Sequence, residues 1–143
     1  RVGGGKRRRI LISRVDAPRR YILNEDAVAD RLTDRGFERL QLANMPVVDL
    51  VRAFANAEIV LGPHGSGLTN ILFSPPGTRV IEIDHPRSDF VAHGLSRVLH
   101  QPFRVIGRVA DKDRDRRSEV SQTIDLDELC RVVDEEIVYA ESA

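Results

Sequence analysis

The sequence predicts an α/β fold: a Rossmann-like parallel sheet with helices on both faces. Three observations predict it. Short apolar segments alternate with segments of helical period along the chain. Each apolar segment is nearly continuous, as strands covered on both faces are. The stretch Ile59–Ile83 (IVLGPHGSGLTNILFSPPGTRVIEI) then reads as strand, glycine-rich turn, short helix, Pro-Gly turn and second strand.

The elements follow in order. RILIS, residues 9–13, is the first strand. Asn24 is placed to cap the next helix, with Glu25 and Asp26 in its first turn. Val28 and Leu32 lie one turn apart on its inner face, and Gly36 ends it. Phe37–Leu42 alternates as a second strand. Pro46 opens a helix where its missing N–H costs little, and Val47, Leu50, Val51, Phe54 and Ala55 form its apolar stripe. Glu58–Leu61 is the third strand and Arg79–Ile83 the fourth. Beyond Asp84 the signals weaken. Phe90–Leu99 reads as a helix, Phe103–Ile106 as a fifth strand, and Asp111–Glu119 as a mobile mixed-charge loop. Asp125 and Glu128 resemble a capping box ahead of a final helix carrying Leu126, Leu129, Val133 and Ile137.

The 143 residues suit one domain, 1–143, with a proper core. Hydrophobic residues make up 41% and charged residues 31%, ordinary values for a globular chain. Basic and acidic residues balance at 22 each, so net charge gives no reason to expect nucleic-acid binding. The balance hides a polarity, arginine-rich at the start and acidic at the end. The Arg7–Arg9 run reads as a solvated strand edge or tail. Cys130 is the single cysteine, so no internal disulfide forms, and its place on an apolar helix face reads as core. No apolar run approaches the roughly 20 residues of a membrane span. The first residues do not read as a signal peptide. The chain begins with arginine, and is expected to be an excised part of a longer protein. One cysteine and an arginine-heavy composition suggest a bacterial protein at the cytoplasmic side of the membrane.

In open parallel sheets, ligands sit beyond the carboxyl ends of the strands. That rule selects two loops, Ser13–Asn24 and Gly62–Asn70. The first carries Arg14, Arg19 and Arg20, three forked cations suited to a diphosphate; the competing reading solvates Arg19 and Arg20 and pairs Arg14 with Asp16. The second reads GPHGSGLTN. Gly65 and Gly67 would let a ligand approach the backbone, and the amides of Leu68, Thr69 and Asn70 would lie at a helix N-terminus that favours an anion. It is not a Walker A loop, because no Gly-Lys-Ser/Thr follows. It is not a complete G-x-G-x-x-G, because Asn70 stands at the last glycine. It is not a nucleophile elbow, because His64 stands where G-x-S-x-G requires glycine, which argues against Ser66 as a nucleophile. His64, inside the supposed anion site, would keep its proton near phosphates and donate both N–H groups. His85, His93 and His100 lack metal-ligand spacing, and no metal is expected. Glu82, closing the fourth strand, would reach the same crevice and accept from sugar or ribose hydroxyls; the alternative is a pair with Arg79 or Arg87. Asp84 competes for the same role.

Taken together, ISRVDAPRRYILNED, the Gly36-Phe37 that begins the second strand, and IVLGPHGSGLTNILFSPPGTRVIEI resemble glycosyltransferase family 61. This is the family of bacterial capsular-polysaccharide proteins, plant xylan arabinosyl- and xylosyltransferases, and animal EGF-domain and O-mannose GlcNAc-transferases. The resemblance runs from Ile10 to Ile83. It implies an inverting transferase that moves a sugar from a nucleotide diphosphate donor, usually UDP-linked, to a glycan or protein hydroxyl, as in polysaccharide biosynthesis. It implies the carboxyl-terminal, donor-holding half of a GT-B fold, with the amino-terminal half outside this chain. The motifs carry over a diphosphate clamp at Arg14, Arg19 and Arg20, together with Asn24. They also carry over a donor loop at His64, Gly65, Gly67, Leu68, Thr69 and Asn70, and the acidic Glu82. Ser66 replaces the usual alanine, a small change. Such enzymes commonly neutralise the leaving diphosphate with protein cations and helix termini, so no cofactor is implied beyond the nucleotide sugar itself. His64 and Asp16 are candidates for the general base. Two rivals stand beside this reading: a nonenzymatic anion- or nucleotide-binding module, and a small hydrolase using Ser66 or an aspartate.

Overall fold

The computed structural model describes residues 6–16, 22–84, 91–107 and 122–143. Five parallel strands form one sheet: β1 (Arg8–Ile12), β2 (Phe37–Leu40), β3 (Ala57–Pro63), β4 (Arg79–Ile83) and β5 (Phe103–Ile106), in the order β2-β1-β3-β4-β5. The helices are α1 (Glu25–Thr33), α2 (Val47–Ala55), α3 (Val91–Val98) and α4 (Leu126–Glu141), with 3-10 segments at Leu42–Asn44 and Ser66–Phe73.

Strand alternation divides the core into two layers. Leu11, Phe37, Ile59, Leu61, Ile81, Ile83 and Ile106 face α1 and α4, meeting Val28, Leu32, Leu129 and Val133. Ile10, Ile12, Val60 and Val80 face the other way, onto Phe54 of α2, Leu68 and Ile71 of the longer 3-10 helix, and Ala92 of α3. Each buried Leu or Ile contributes about 1.5–3 kcal/mol, and the sheet holds them from both sides, as the near-continuous apolar strands require.

Several boundaries differ from expectation. β2 stops at Leu40 because the chain turns into a 3-10 segment at Leu42. β3 runs two residues past Leu61, pairing Gly62 with Glu82 and Pro63 with Ile83 of β4. Its pairing with β1 ends at Leu11–Leu61. The His64 N–H reaches Ile83 O at 3.0 Å, so the nitrogen of Pro63 points the opposite way, towards the side β1 has left. A proline costs no ladder hydrogen bond there. Meanwhile Ser13 N–H bonds Leu40 O of β2 at 2.9 Å. The carboxyl end of β1 thus goes with β2, that of β3 goes with β4, and a crevice opens between them at the point where strand order reverses.

Arg8 and Arg9 of the Arg7–Arg9 run are not a solvated edge, whereas Arg7, ahead of β1, keeps its side chain 63% exposed. β1 lies inside the sheet, and its arginines meet carboxylates of neighbouring elements. Arg8 forms a fork with Glu38, one arm at 2.6 Å. Arg9 bonds Glu58 at 2.6 Å, Arg35 O at 2.8 Å and Glu141 at 2.9 Å. Arg7 reaches Ala140 O at 3.3 Å. The expected capping box is half made. Asp125 caps α4 by accepting from the N–H of Asp127 and Glu128, but the Glu128 carboxylate turns to the N–H of Gly107 at 3.2 Å. Cys130 is half-buried on α4 rather than enclosed in the core. The expected mixed-charge loop at 111–119 lies outside the described residues.

Candidate functional site

The crevice brings Arg14, at the start of the first loop, onto the second. A Cβ placed on Gly65 would fall 2.7 Å from Nη1 of Arg14, so the guanidinium lies directly on the Gly65 backbone. Gly65 has φ +149° and ψ −178°, a conformation that side chains strongly disfavour. Two cavities flank Arg14. One of about 350 Å³ is lined by Arg14, His64, Gly65, Ser66, Thr69 and the start of α3. The other, about 280 Å³, is lined by Ile12, Asp16, Leu42, Pro63 and Gly67 and shares Arg14 and Ser66 with the first.

His64 is 9% exposed and Glu82 3%. Nδ1 of His64 stands 3.5 Å from Oε2 of Glu82. The carboxylate therefore backs the histidine instead of opening onto the crevice, and β3–β4 register puts it there by pairing Glu82 with Gly62. The alternative pairing with Arg79 is not made. Arg79 instead bonds Glu136 and lies 4.9 Å from the centre of the Tyr139 ring. Arg87 lies outside the described residues, as do Arg19 and Arg20. Asp84 is buried, and its carbonyl accepts from the Gln122 side chain.

The segment after the glycine turn is a 3-10 helix, not an α-helix. Its i→i−3 ladder takes the Leu68 N–H onto Gly65 O at 3.1 Å, and the Leu68 side chain is fully buried. Ser66 and Gly67 thus hold the N–H groups at its open end. The Thr69 hydroxyl folds back on Ser66 O at 2.6 Å and the Asn70 amide on Gly67 O at 2.9 Å. These two side chains brace the turn from within. Gly67 is required by packing: a Cβ there would stand 3.2 Å from Ile12 Cγ2, and one on Gly62 would stand 2.9 Å from Ile12 Cβ. The close approach that sequence reasoning assigned to a ligand at Gly67 is made by β1.

Asn24 occupies the N-cap position of α1 but makes no side-chain cap. Its amide grips the Ile124 backbone from both sides, donating to the carbonyl and accepting from the N–H, each at 2.9 Å. Glu25, read from sequence as a helix-dipole residue, is buried and accepts from Ser13, Arg14 and Arg39. The signal for it was available in principle: a second acidic residue beside Asp26, next to an arginine-rich loop. Among the described residues, no helix is long and apolar enough to cross a membrane.

The sequence model of the family described as Glycosyltransferase 61 matches residues 4–81, more than half of the chain, including Arg14 and the His64–Asn70 turn. A Beta-1,2-xylosyltransferase of Arabidopsis thaliana is 45% identical over 42 residues, covering 29% of this chain and 8% of its own length. Beta-1,2-xylosyltransferase RCN11 of Oryza sativa subsp. japonica is 33% identical over 63 residues, covering 41% of this chain and 12% of its own length. The chain thus spans a small fraction of the curated relatives it matches.

Proposed function

The chain belongs to glycosyltransferase family 61, and from that premise we propose that it is the donor-binding half of an inverting glycosyltransferase of GT-B architecture. Its donor is a nucleotide diphosphate sugar, UDP-linked, and its acceptor a glycan or protein hydroxyl. An amino-terminal half outside this chain closes the cleft. The observation that carries the reading is the contact of Arg14 with Gly65 at the β1–β3 crevice, because it sets a forked cation over bare backbone beside a cavity.

In the proposed reaction the acceptor oxygen bonds to the anomeric carbon as the bond from that carbon to the phosphate oxygen breaks. The electron pair leaves with the nucleoside diphosphate. Arg14 and the N–H groups of Ser66 and Gly67 meet the charge that develops there; one well-aimed donor of this kind is worth about 2.7–4 kcal/mol of barrier. Arg19 and Arg20 complete the clamp in this reading. The acceptor proton goes to a base. His64 is favoured over Asp16, because a buried carboxylate faces its Nδ1 whereas Asp16 is exposed. A proton on Nδ1 leaves Nε2 to accept the hydroxyl proton, and the resulting imidazolium then helps neutralise the diphosphate.

Calorimetric titration of the chain with UDP and a panel of UDP-sugars, UDP-xylose included because of the xylosyltransferase relatives, tests the reading. Saturable binding of UDP is expected. No binding at millimolar ligand by a folded sample overturns it, and phosphate or sulfate bound as tightly as UDP favours a simple anion-binding module.

A further inference from the structure

We propose that Glu25 is a positioning residue for donor binding, holding the main chain of Arg14 while Arg39 absorbs its charge. The proposal rests on the donor reading above. Glu25 opens α1 yet is 4% exposed, whereas Asp26 beside it has a side chain 89% exposed. A carboxylate in the first turn gains from the helix dipole at the surface, so the dipole does not explain burial, which is costly for a charge unless fully paired.

The pairing is complete and divided. One oxygen accepts from the Ser13 hydroxyl and from Arg39, at 2.9 Å from Nε and 2.7 Å from Nη2. The other accepts the backbone N–H of Arg14 at 3.1 Å. Ser13 Oγ in turn accepts the N–H of Val15 at 3.3 Å. Three successive residues at the end of β1 are thus fixed by one carboxylate and its hydroxyl partner. The cation that neutralises Glu25 comes from β2. Arg14 is gripped by its amide, and its guanidinium is directed to Gly65. A fixed backbone at Arg14 removes the freedom that a clamp would otherwise lose on binding.

Two measurements test this on the chain. The first is hydrogen exchange of the Arg14 amide by NMR without ligand; Glu25→Ala should speed it at least tenfold, and Glu25→Gln, which keeps an acceptor, should speed it less. The second is UDP affinity in a double-mutant cycle with Arg14→Ala. Glu25→Ala should weaken UDP about tenfold in the parent and less than twofold in the Arg14→Ala background. A purely structural role would weaken both backgrounds equally, and that result overturns the proposal, as does unchanged Arg14 exchange. If Glu25→Ala does not fold, Glu25→Gln and Ser13→Ala give the same two readouts. If the parent takes up no UDP, the donor reading fails, while the exchange data still decide whether Glu25 anchors Arg14.

Discussion

Arg14 lies across Gly65 with Nη1 2.7 Å from where a Cβ would stand, so residue 65 sets where the guanidinium rests. Gly65→Ala should displace it. The far end of a flexible side chain moves readily, but the backbone at φ +149° holds alanine only under strain of about 1–3 kcal/mol. Thermal unfolding should report that loss, and calorimetry an affinity for UDP lower by more than tenfold.

Arg14→Ala should weaken UDP by more than tenfold with less than about 1 kcal/mol change in unfolding free energy, as for a half-exposed loop side chain. Arg14→Lys should recover only part of the affinity, because a point charge replaces a fork. His64→Ala should also cost more than tenfold in UDP affinity. Unlike Arg14→Ala it should destabilise the fold by about 1–3 kcal/mol, since it takes a polar partner from buried Glu82. If both alanine variants bind UDP like the parent, the site is misassigned.

The glycines separate packing from conformation. Gly62→Ala drives a methyl to 2.9 Å from Ile12 Cβ, an atom fixed to the backbone of β1, and should destabilise by about 1–3 kcal/mol. Gly94 in α3 has nothing within 4 Å of the added carbon, so Gly94→Ala should stabilise by about 0.4–1 kcal/mol. Urea unfolding of both variants checks the opposite signs.

The Arg35 guanidinium, hydrogen-bonded to Asp134 at 2.7 Å, holds that carboxyl below its ordinary 3.8. A depressed folded value means the pair contributes stability above pH 3.8, and the contribution fades as pH falls through the lower folded value. The Asp134 side chain is 56% exposed, so solvent screening keeps the effect within about 1 kcal/mol. Asp134→Asn should lower the urea midpoint slightly at pH 7, and the difference from the parent should shrink as pH falls below 3.8 through the lower folded value.

The strands and most helices were legible because apolar period is a local property: Arg79–Ile83 and Phe103–Ile106 fall where their residues put them. The two crevice loops were legible because strand ends and glycine turns are. The partners of Arg8 and Arg9 were not, since they depend on β1 lying between β2 and β3, and neighbours in a sheet are set by crossovers that no short window contains. Asn24 looked like a cap because its place before Glu25 and Asp26 is right for one; its actual partner, Ile124, is 100 residues away. Gly67 looked like a ligand contact because a glycine carries no mark of whether bound molecule or Ile12 needs the space.

The bonds from Arg9 to Glu141 and from Arg7 to the Ala140 carbonyl join sites 132 and 133 positions apart. Such contacts raise contact order and slow folding, since closure of a long loop precedes any gain from them. During synthesis the first strand leaves the ribosome long before Glu141, the last of its counter-charges, exists. The mature arrangement of the sheet's amino-terminal edge is therefore finished by the last turn of the final helix: a nascent chain halted before residue 140 already holds Glu38 for Arg8 and Glu58 for Arg9, but lacks the Ala140 carbonyl and the Glu141 carboxylate that complete the set.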